Sequence, residues 1–593
     1  MASQAIILQQ GADQLCHYQA SARYGSLSPS PDLNPPLDGT ACDSPSQSNA
    51  LVPDKNQRSV SWLGSSEAMF LREQLLLLGH PTPSLTYTDI SATDHKYLSH
   101  FVNHVVQIIP ADKDTMLTLI SGSGLALKAA MAIGAANLAN LQGKYSHSLQ
   151  TSDDYLWIPN RGHRINALDY AATALSMAIH RRGAGIGTLV VSHLMLSFVE
   201  LELGTFEGLR WYQASVDGLV YQNYRELLGR DSGRQLVRSL ANTRSLQRFL
   251  AGPMGPRSRE LQMDRFWQRL ESQISPGSYE FSKISYSVLA TLERLCLLTT
   301  MRHCRTDPTY LRSIVAKHLQ LFTNSGYIIR EGINASEADI DAACFECVAE
   351  MRSLSNDILF LTPPAGLPDP EEDIRPGVAA YGELPRTSEN IEPLRFGSHE
   401  EAMRAADYVF CRVMCDKSIV QQIIDPCAEG EAYVAASALE WLELLVRIAL
   451  GLDLFDCVNR NIYRRGICGM LLHSAIRCLS PRVCCILEKL LDQLILKGCI
   501  WEDTTFPSIL SVSTVRAVRD QLQKRRRVLF ISTVRHDFDA KFTIMSNRMT
   551  RTLLVHGWEA DGRVFHDILS LDDLSPRFVS DLGFLAESLR DHK

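Results

Sequence analysis

The stretch ALDYAATALSMAIHRRGAGIGTLVVSHLMLSFVELELG, residues 167–204, decides how this chain is expected to fold. Apolar residues recur in its first half at spacings of three and four, which is the period of one face of an α-helix. These residues are Leu168, Ala171, Ala172, Leu175 and Ile179. Asn166 is suited to cap the start of the helix, with Asp169 near the positive end of its dipole. We therefore predict a helix that begins after Asn166 and ends before the glycines.

The glycines Gly183, Gly185 and Gly187 could instead close over a nucleotide phosphate. A dinucleotide-binding loop requires a strand before the glycines and a helix after them. Here a helix comes first, and Gly183 lies where a helix end favours a left-handed residue. Thr188 can then cap a second helix that ends near Gly204. The segment is predicted to be a helical hairpin rather than a phosphate-binding loop.

The composition is that of an ordinary globular protein without general affinity for nucleic acid. The 593 residues are 45% hydrophobic and 21% charged, and the formal net charge is −7. Contact with DNA would therefore need a local basic patch. Among 15 cysteines only Cys16 and Cys42 precede Cys296, and no basic and apolar leader opens the sequence. Reduced thiols in the cytosol or nucleus are expected.

Two polar breaks define the predicted organisation. Residues 1–60 are rich in Ser, Pro, Gln and Asp and are expected to form a disordered tail. A first helical part is predicted over residues 90–360, a long loop over 361–398 and a second helical part over 399–590. Alternating patterns are scarce, so we expect an all-α, multi-helix bundle-like fold. Only residues 523–534 are considered for a short strand.

The most apolar stretches are expected to be core helices rather than membrane spans. They cover residues 116–138, 189–203 and 435–455, and each contains charged or amide side chains. None is a clean run of about 20 apolar residues, the length that a membrane helix needs. A further helix is predicted to begin at Ser398, because Ser398 and Glu401 have the spacing of a capping box.

Candidate chemical sites are few and weakly specified. The Cys-x-x-Cys pair Cys344 and Cys347 lacks the second pair that a zinc site would need. His100 and His104 are spaced as metal ligands on a helix can be, but no acidic third ligand accompanies them. Residues 121–128 are Gly-rich but depart from the phosphate-loop spacing. We predict no catalytic, cofactor-binding or metal-ligating residue, and interpret the cysteines as small buried hydrophobes.

The strongest basic run, Lys524, Arg525, Arg526 and Arg527, has two interpretations. A short cluster of this kind can be a nuclear localisation signal. It can equally be the solvated end of a helix. Both interpretations remain open at the level of the sequence.

Three segments together resemble the fungal-specific transcription factor domain. The first is DHKYLSHFVNHVVQIIP (94–110) followed by MLTLISGSGLALKAAMAIGAANLANL (116–141). The second is HRINALDYAATALSMAIHRR (163–182) followed by GTLVVSHLMLSFVELELGTFEGLRWYQASVDGLV (187–220). The third is FGSHEEAMRAADYVFCRVM (396–414). The resemblance rests on hydrophobic pattern and a few landmark residues, and extends from about residue 94 towards the C-terminus.

The resemblance implies a nuclear transcription regulator, often of a biosynthetic or metabolic gene set such as secondary metabolism. The implied partners are proteins of the transcription machinery or another regulator, with a homodimer as one arrangement. Members of the family usually begin with a zinc binuclear cluster of six cysteines that places a helix on DNA. Cys16 and Cys42 cannot supply that cluster. Two alternatives follow for this chain: it regulates through partner proteins without binding DNA itself, or a Cys-rich basic module is encoded upstream of Met1. No cofactor is implied.

Two other classes of function stay open. One is an α-helical enzyme that carries no recognisable motif, which turnover of a substrate by the purified protein would favour. The other is a structural scaffold without a regulatory role, which transcript profiling after depletion would separate from a regulator.

Overall fold

A computed structural model describes most of the chain after residue 90. The described residues are 91–147, 155–180, 185–203, 206–251, 257–274, 281–303, 336–368, 391–424, 436–463, 465–496, 512–533, 552–559 and 562–570. They are predominantly helical, which confirms the all-α fold class. The tail predicted over residues 1–60 lies outside the described residues.

The first half of the described chain is mainly a succession of helices. Helix α1 (Ala92–His100) continues through a π-helical turn (Phe101–Val105) and a last turn (Val106–Ile108). It is followed by α2 (Lys113–Ser121), α3 (Gly124–Leu141), α4 (Arg161–His180), α5 (Ile186–Leu203), α6 (Phe206–Leu228), α7 (Asp231–Ala251), α8 (Arg257–Ile274) and α9 (Phe281–His303). Strands β1 (Lys144–His147) and β2 (Tyr155–Ile158) form an antiparallel pair between α3 and α4.

The second half adds further helices and a sheet. The helices are α10 (Glu337–Phe360), α11 (His399–Met414), α12 (Lys417–Ile424), α13 (Ala436–Gly451), α14 (Leu454–Arg460), a 3₁₀ turn (Asn461–Tyr463), α15 (Ile467–Arg477), α16 (Pro481–Leu496) and α17 (Val512–Gln523). Strands β3 (Arg527–Thr533), β4 (Thr552–Trp558) and β5 (Val564–Ser570) form an antiparallel sheet in that order. Ser398 is the N-cap of helix α11, and its side chain accepts from the Glu401 amide, which is one of the two bonds of the predicted capping box.

Helices α3 and α5 lie at the centre of the first half. Both are long and apolar enough to cross a membrane by length and composition, yet 78% and 72% of their apolar windows are buried inside the fold. Helix α3 packs against α4 and α5, and α5 packs against α6. Burial inside this helical layer accounts for the apolar composition of both helices.

The glycine-containing segment connects two helices, as the sequence predicts. Helix α4 ends at His180 and α5 begins at Ile186, so Gly187 and Thr188 lie inside α5 and Thr188 does not cap it, whereas Gly183 lies outside the described residues. The helix starts differ from our expectation. Helix α4 begins at Arg161 because the side chain of Asn160 accepts from the next backbone amides. Asn166 instead lies within the helix and donates to the hydroxyl of Tyr97 at 2.7 Å.

The sheet corrects the expectation that residues 399–590 are helical throughout. Strand β3 confirms the short strand considered for residues 523–534. Strands β4 and β5 were not predicted. Leu553, Leu554 and Val555 of the central strand β4 are all buried, and a strand buried on both faces lacks the alternation that identifies strands in a sequence.

Helices α1 and α3 cross at Gly134, and this contact gives a testable prediction. A Cβ atom on Gly134 would lie 2.5 Å from the backbone oxygen of Tyr97. Because backbone must shift to admit it, G134A is expected to lower the free energy of unfolding by about 1–3 kcal/mol. The control is G185A, since a Cβ on Gly185 meets nothing within 4 Å. Equal denaturation midpoints for the two variants would contradict the close crossing.

Candidate functional site: a polar hub at Glu202

A buried carboxylate connects the two halves of the fold. Glu202 on the last turn of α5 accepts from Asn137 Nδ2 at 2.9 Å and from Asn140 Nδ2 at 2.5 Å. The hydroxyl of Tyr463, in the 3₁₀ turn after α14, donates to the same carboxylate at 2.5 Å. Asn140 Nδ2 also lies 2.9 Å from the backbone oxygen of Glu202. We call Asn137, Asn140, Glu202 and Tyr463 the Glu202 hub.

The hub places the carboxyl group of Glu202 in an apolar interior. Its hydrogen bonds determine how much free energy the burial of that group costs. Burial raises the pKa of Glu202, and the donors Tyr463, Asn137 and Asn140 oppose that rise. A buried carboxylate without such donors would be strongly destabilising. The three donors come from α3 and the 3₁₀ turn, so the hub forms only when these elements are assembled on α5.

Two histidines extend the polar network along α1. His100 Nε2 lies 2.8 Å from Asn137 Oδ1, and the rings of His100 and His104 have centres 5.0 Å apart. Burial, followed by the nearby His100 and Arg460, lowers the pKa of His104 to about 4. Both rings flank or lie in the π-helical turn, a distortion that often marks functional sites. The two half-buried rings thus lie beside the hub, with His100 hydrogen-bonded to Asn137.

The 3₁₀ turn also meets the third segment that carries the family resemblance. Asn461 is fully buried, and its Oδ1 lies 2.8 Å from His399 Nε2. Its Nδ2 lies 3.9 Å from Met403 Sδ. Two residues later, the ring of Tyr463 packs on Phe198 with centres 4.8 Å apart. The turn therefore touches α11 on one side and α5 on the other.

Residues 198–203 and 206–211, where α5 is followed by α6, contribute several contacts at and around the hub. Phe198 and Glu202 face Tyr463, and the ring of Trp211 lies beside His193 with centres 6.3 Å apart. A Cβ on Gly208 would lie 2.1 Å from the carboxylate of Glu200, so α6 approaches α5 closely at that glycine. Sequence reasoning missed the role of Glu202. The available signal was a pair of acidic residues, Glu200 and Glu202, near the end of a mainly apolar helix.

The chemistry of the hub is that of a structural connector. Its carboxylate is enclosed and each donor is already committed to it, so the arrangement couples the positions of α3, α5 and the 3₁₀ turn. The residues that it joins are far apart in the chain, with Glu202 and Tyr463 separated by 261 positions. If one of these elements moves, its hydrogen bonds to the others break. A buried polar network that is only partly hydrogen-bonded is costly in free energy, so the positions of the elements are coupled.

The other residues singled out in the sequence do not gather at the hub. Cys344 and Cys347 are buried on α10, and burial raises the pKa of their thiols to about 11 and about 12. Nine of the ten cysteines among the described residues are buried, consistent with small apolar side chains. Lys128, in the Gly-rich stretch, lies 3.6 Å from Asp94. Within the described ranges no group of three or more His, Cys, Asp or Glu side chains could hold a metal ion.

The basic run lies at the turn between α17 and β3. Lys524 and Arg525 are exposed, and Arg525 has a positive φ of 59°. Arg526 is half-buried, pairs with Glu559 at 2.6 Å and with Asp567, and lies over the ring of Phe565 at 4.4 Å. Arg526 therefore stabilises the sheet, whereas the first two basic residues are directed to solvent. Whether the run is a nuclear localisation signal stays a prediction.

Because Arg526 is paired and Lys524 and Arg525 are exposed, substitutions in the basic run should differ in their effect on stability. R526A is expected to lower the free energy of unfolding by about 1–3 kcal/mol, because Glu559 and Asp567 lose a charge-assisted partner. The double variant K524A/R525A should change it by less than about 0.5 kcal/mol, as surface substitutions usually do. Chemical denaturation followed by circular dichroism measures both. Equal losses for the two variants would contradict the assigned contacts.

In comparisons with known proteins, no family model, no curated protein and no solved structure matches this chain.

Proposed function

We propose that this chain is the helical regulatory domain of a fungal transcription regulator. It acts in the nucleus on a biosynthetic or metabolic gene set and binds proteins of the transcription machinery or another regulator. The observation that carries the proposal is the convergence of the three resembling segments on one turn. Asn137 comes from the first segment, Glu202 from the second and His399 from the third, and all of them belong to the network around Asn461–Tyr463.

This convergence supports a shared architecture rather than a chance likeness of separate helices. The segments are distant in sequence. Asn137 of the first is bonded to Glu202 of the second, and the turn Asn461–Tyr463 bonds both Glu202 and His399 of the third. A connector of this kind also suits a regulator, because a partner bound to one half biases the packing of the other half. The proposed function assigns no catalytic role to any residue.

The proposal is tested by acute depletion of the chain in its own cell, followed by sequencing of nascent transcripts within minutes. A regulator is expected to change a discrete set of transcripts directly, and re-expression of the wild-type chain should restore them. A scaffold would leave early transcripts unchanged, and that outcome would reject the proposal. Substrate turnover by the purified chain, lost on substitution of a carboxylate or histidine, would favour the enzyme instead.

Localisation is tested separately with the variant K524A/R525A fused to a fluorescent protein. This variant removes the two exposed charges and leaves Arg526 in its ion pairs, so the fold is retained. Wild-type fusion is expected in the nucleus. If the run is the import signal, the double variant accumulates in the cytosol. A wild-type fusion that stays outside the nucleus would contradict a nuclear regulator.

A further inference from the structure

Helix α10 has a second apolar face, which is directed away from the core. Its inner face, which includes Cys347 and Met351, is buried, and the helix packs on α9. Three of the nine large apolar side chains that are exposed in the described part of the chain lie on this one helix. Phe345 is 72% exposed, Leu359 is 60% exposed and Phe360 is 87% exposed. The outer face of a surface helix is ordinarily polar, so this face of α10 needs an explanation.

The outward residues of α10 follow the heptad repeat of a coiled coil. Seven exposed positions recur at alternating spacings of four and three residues, and we call them the α10 seam. The α10 seam consists of Ala338, Ala342, Phe345, Ala349, Arg352, Asn356 and Leu359. Five of the seven are apolar and one is charged. The repeat continues for about three heptads, a length that indicates a helix able to pair with another helix.

Acidic residues lie along both sides of the α10 seam. Asp339 and Glu346 each follow a seam residue, and Asp341 precedes one. Asp341 lies 3.6 Å from Arg302 of α9, and Glu346 lies 3.6 Å from Arg294 of the same helix. The apolar seam is therefore bordered by charged groups, as the centre of a protein–protein interface is bordered by a polar rim.

The α10 seam is complementary to a second copy of itself in the antiparallel orientation. In one register, Phe345 of each copy lies on Ala349 of the other copy, so a large side chain packs on a small one. The same register places Arg352 of each copy opposite Ala342 of the other copy, next to Asp341. A two-fold axis repeats both contacts, because the same patch serves both copies. Size and charge thus match along the seam.

The parallel orientation lacks this match. Parallel pairing sets each seam residue against the same residue of the other copy. Arg352 would then face Arg352, and like charges that face one another across an interface are unfavourable. Phe345 would meet Phe345 and Ala349 would meet Ala349, so that crowded layers alternate with underfilled ones. The antiparallel orientation is therefore favoured.

We propose that the α10 seam is a dimerisation surface, on which a second copy of this chain docks its own α10 in the antiparallel direction. A contact along a single helix lies at the small end of specific interfaces, so the dimer is expected to dissociate on dilution. The buried face of α10 stays packed on α9, and each copy keeps its fold. The inference is independent of the proposed role in transcription.

The dimer is tested by sedimentation velocity of the full chain at concentrations from about 1 to 100 μM. Wild type is expected to change from monomer to dimer over this range. F345E should raise the dissociation constant at least about tenfold, because a charge replaces the aromatic anchor at the centre of the interface. The matched control is F455E, since Phe455 is 63% exposed on α14, outside the seam. F455E should leave the association unchanged.

Both phenylalanines are exposed, so each variant should keep the circular dichroism spectrum and denaturation midpoint of wild type. A loss of association in F345E then reports on the interface rather than on folding. A wild-type chain that stays monomeric at the highest concentration would overturn the proposal. Equal dissociation constants for F345E and F455E would overturn it as well.

R352A tests the orientation of the two helices. In the antiparallel dimer it removes the attraction between Arg352 and Asp341 of the other copy, so the dissociation constant should rise about two- to fivefold at low salt. In a parallel dimer it would remove the repulsion between the two copies of Arg352 and strengthen the association. Tighter association of R352A than of wild type would therefore contradict the antiparallel dimer.

Discussion

E202A is expected to lower the free energy of unfolding by about 3–5 kcal/mol, since each buried donor left without a partner costs about 1–3 kcal/mol. Two donors lose their acceptor in this variant, namely Asn137 Nδ2 and the hydroxyl of Tyr463, whereas Asn140 Nδ2 keeps the backbone oxygen of Glu202 as an acceptor. The loss is measured as the shift in the denaturant midpoint at constant m-value. A loss below about 1 kcal/mol would show that the hub contributes no more than an ordinary surface residue.

E202Q and Y463F are the matched controls for this prediction. E202Q keeps the shape and one acceptor oxygen, and Y463F removes a single donor, so each should cost about 1–2 kcal/mol. The pH dependence of the free energy of unfolding also tests the role of the Glu202 carboxyl group. Because burial raises the pKa of Glu202 in the folded state, its protonation favours folding at low pH, and that contribution fades as the pH rises through the folded pKa. E202Q should lack this part of the pH dependence.

R477M is expected to lower the free energy of unfolding by a similar amount, about 3–5 kcal/mol, because it removes one partner of a buried ion pair. Arg477 on α15 is buried and lies 3.6 Å from Glu293 of α9. It also donates to the backbone oxygens of Val528 at 3.0 Å and Leu529 at 3.1 Å. The pairing of β3 with β4 shifts register between Val528 and Phe530. Arg477 thus satisfies carbonyl groups at the irregularity in the sheet.

The variant R477K, together with the pH dependence of the free energy of unfolding, separates the contribution of the positive charge of Arg477 from that of its planar shape. Lysine keeps the charge but not the planar fork that reaches three acceptors, so R477K should recover only part of the loss. Burial would raise the pKa of Glu293, but His473 and Arg477 together lower it. A carboxyl group whose pKa is lower in the folded state than in the unfolded state stabilises the fold at pH values above its unfolded-state pKa. That stabilisation is lost as the pH falls through the folded-state pKa. The difference in the free energy of unfolding between wild type and R477M should therefore decrease as the pH is lowered. A difference that does not change with pH would contradict the ion pair.

Much of the helical architecture could be predicted from local patterns. Residues spaced by three and four identify α4, and the glycines after it identify the connection to α5. Ser398 identifies the start of α11 because its side chain caps the backbone three residues on. The predicted start of α4 was wrong because two asparagines could each cap the helix. Asn160 and Asn166 are both capable of capping, and only the packing of Asn166 on Tyr97 shows which of them begins the helix.

The candidate site could not be predicted in the same way. Glu202 and Tyr463 are 261 positions apart, and no local pattern relates them. His100 and His104 are four positions apart in the sequence, but only the fold shows that His100 contacts Asn137 beside the hub. Strand β4 escaped prediction because it is buried on both faces and so lacks alternation. Strand β5 alternates in exposure, but its exposed positions include the apolar Val564 and Ile568, so its sequence does not alternate.

Local sequence patterns were enough to predict that the described part of the chain is mainly helical, that helices α4 and α5 flank the glycine-containing segment and that the apolar stretches form a core. These features depend on neighbours within a few positions, where backbone geometry repeats regularly. Tertiary structure alone decided where the buried charges are satisfied, at Glu202 and at Arg477, and that the C-terminal strands close into a sheet. The reason is physical: a buried polar group is stable only beside its partner, and the position of that partner depends on the whole fold.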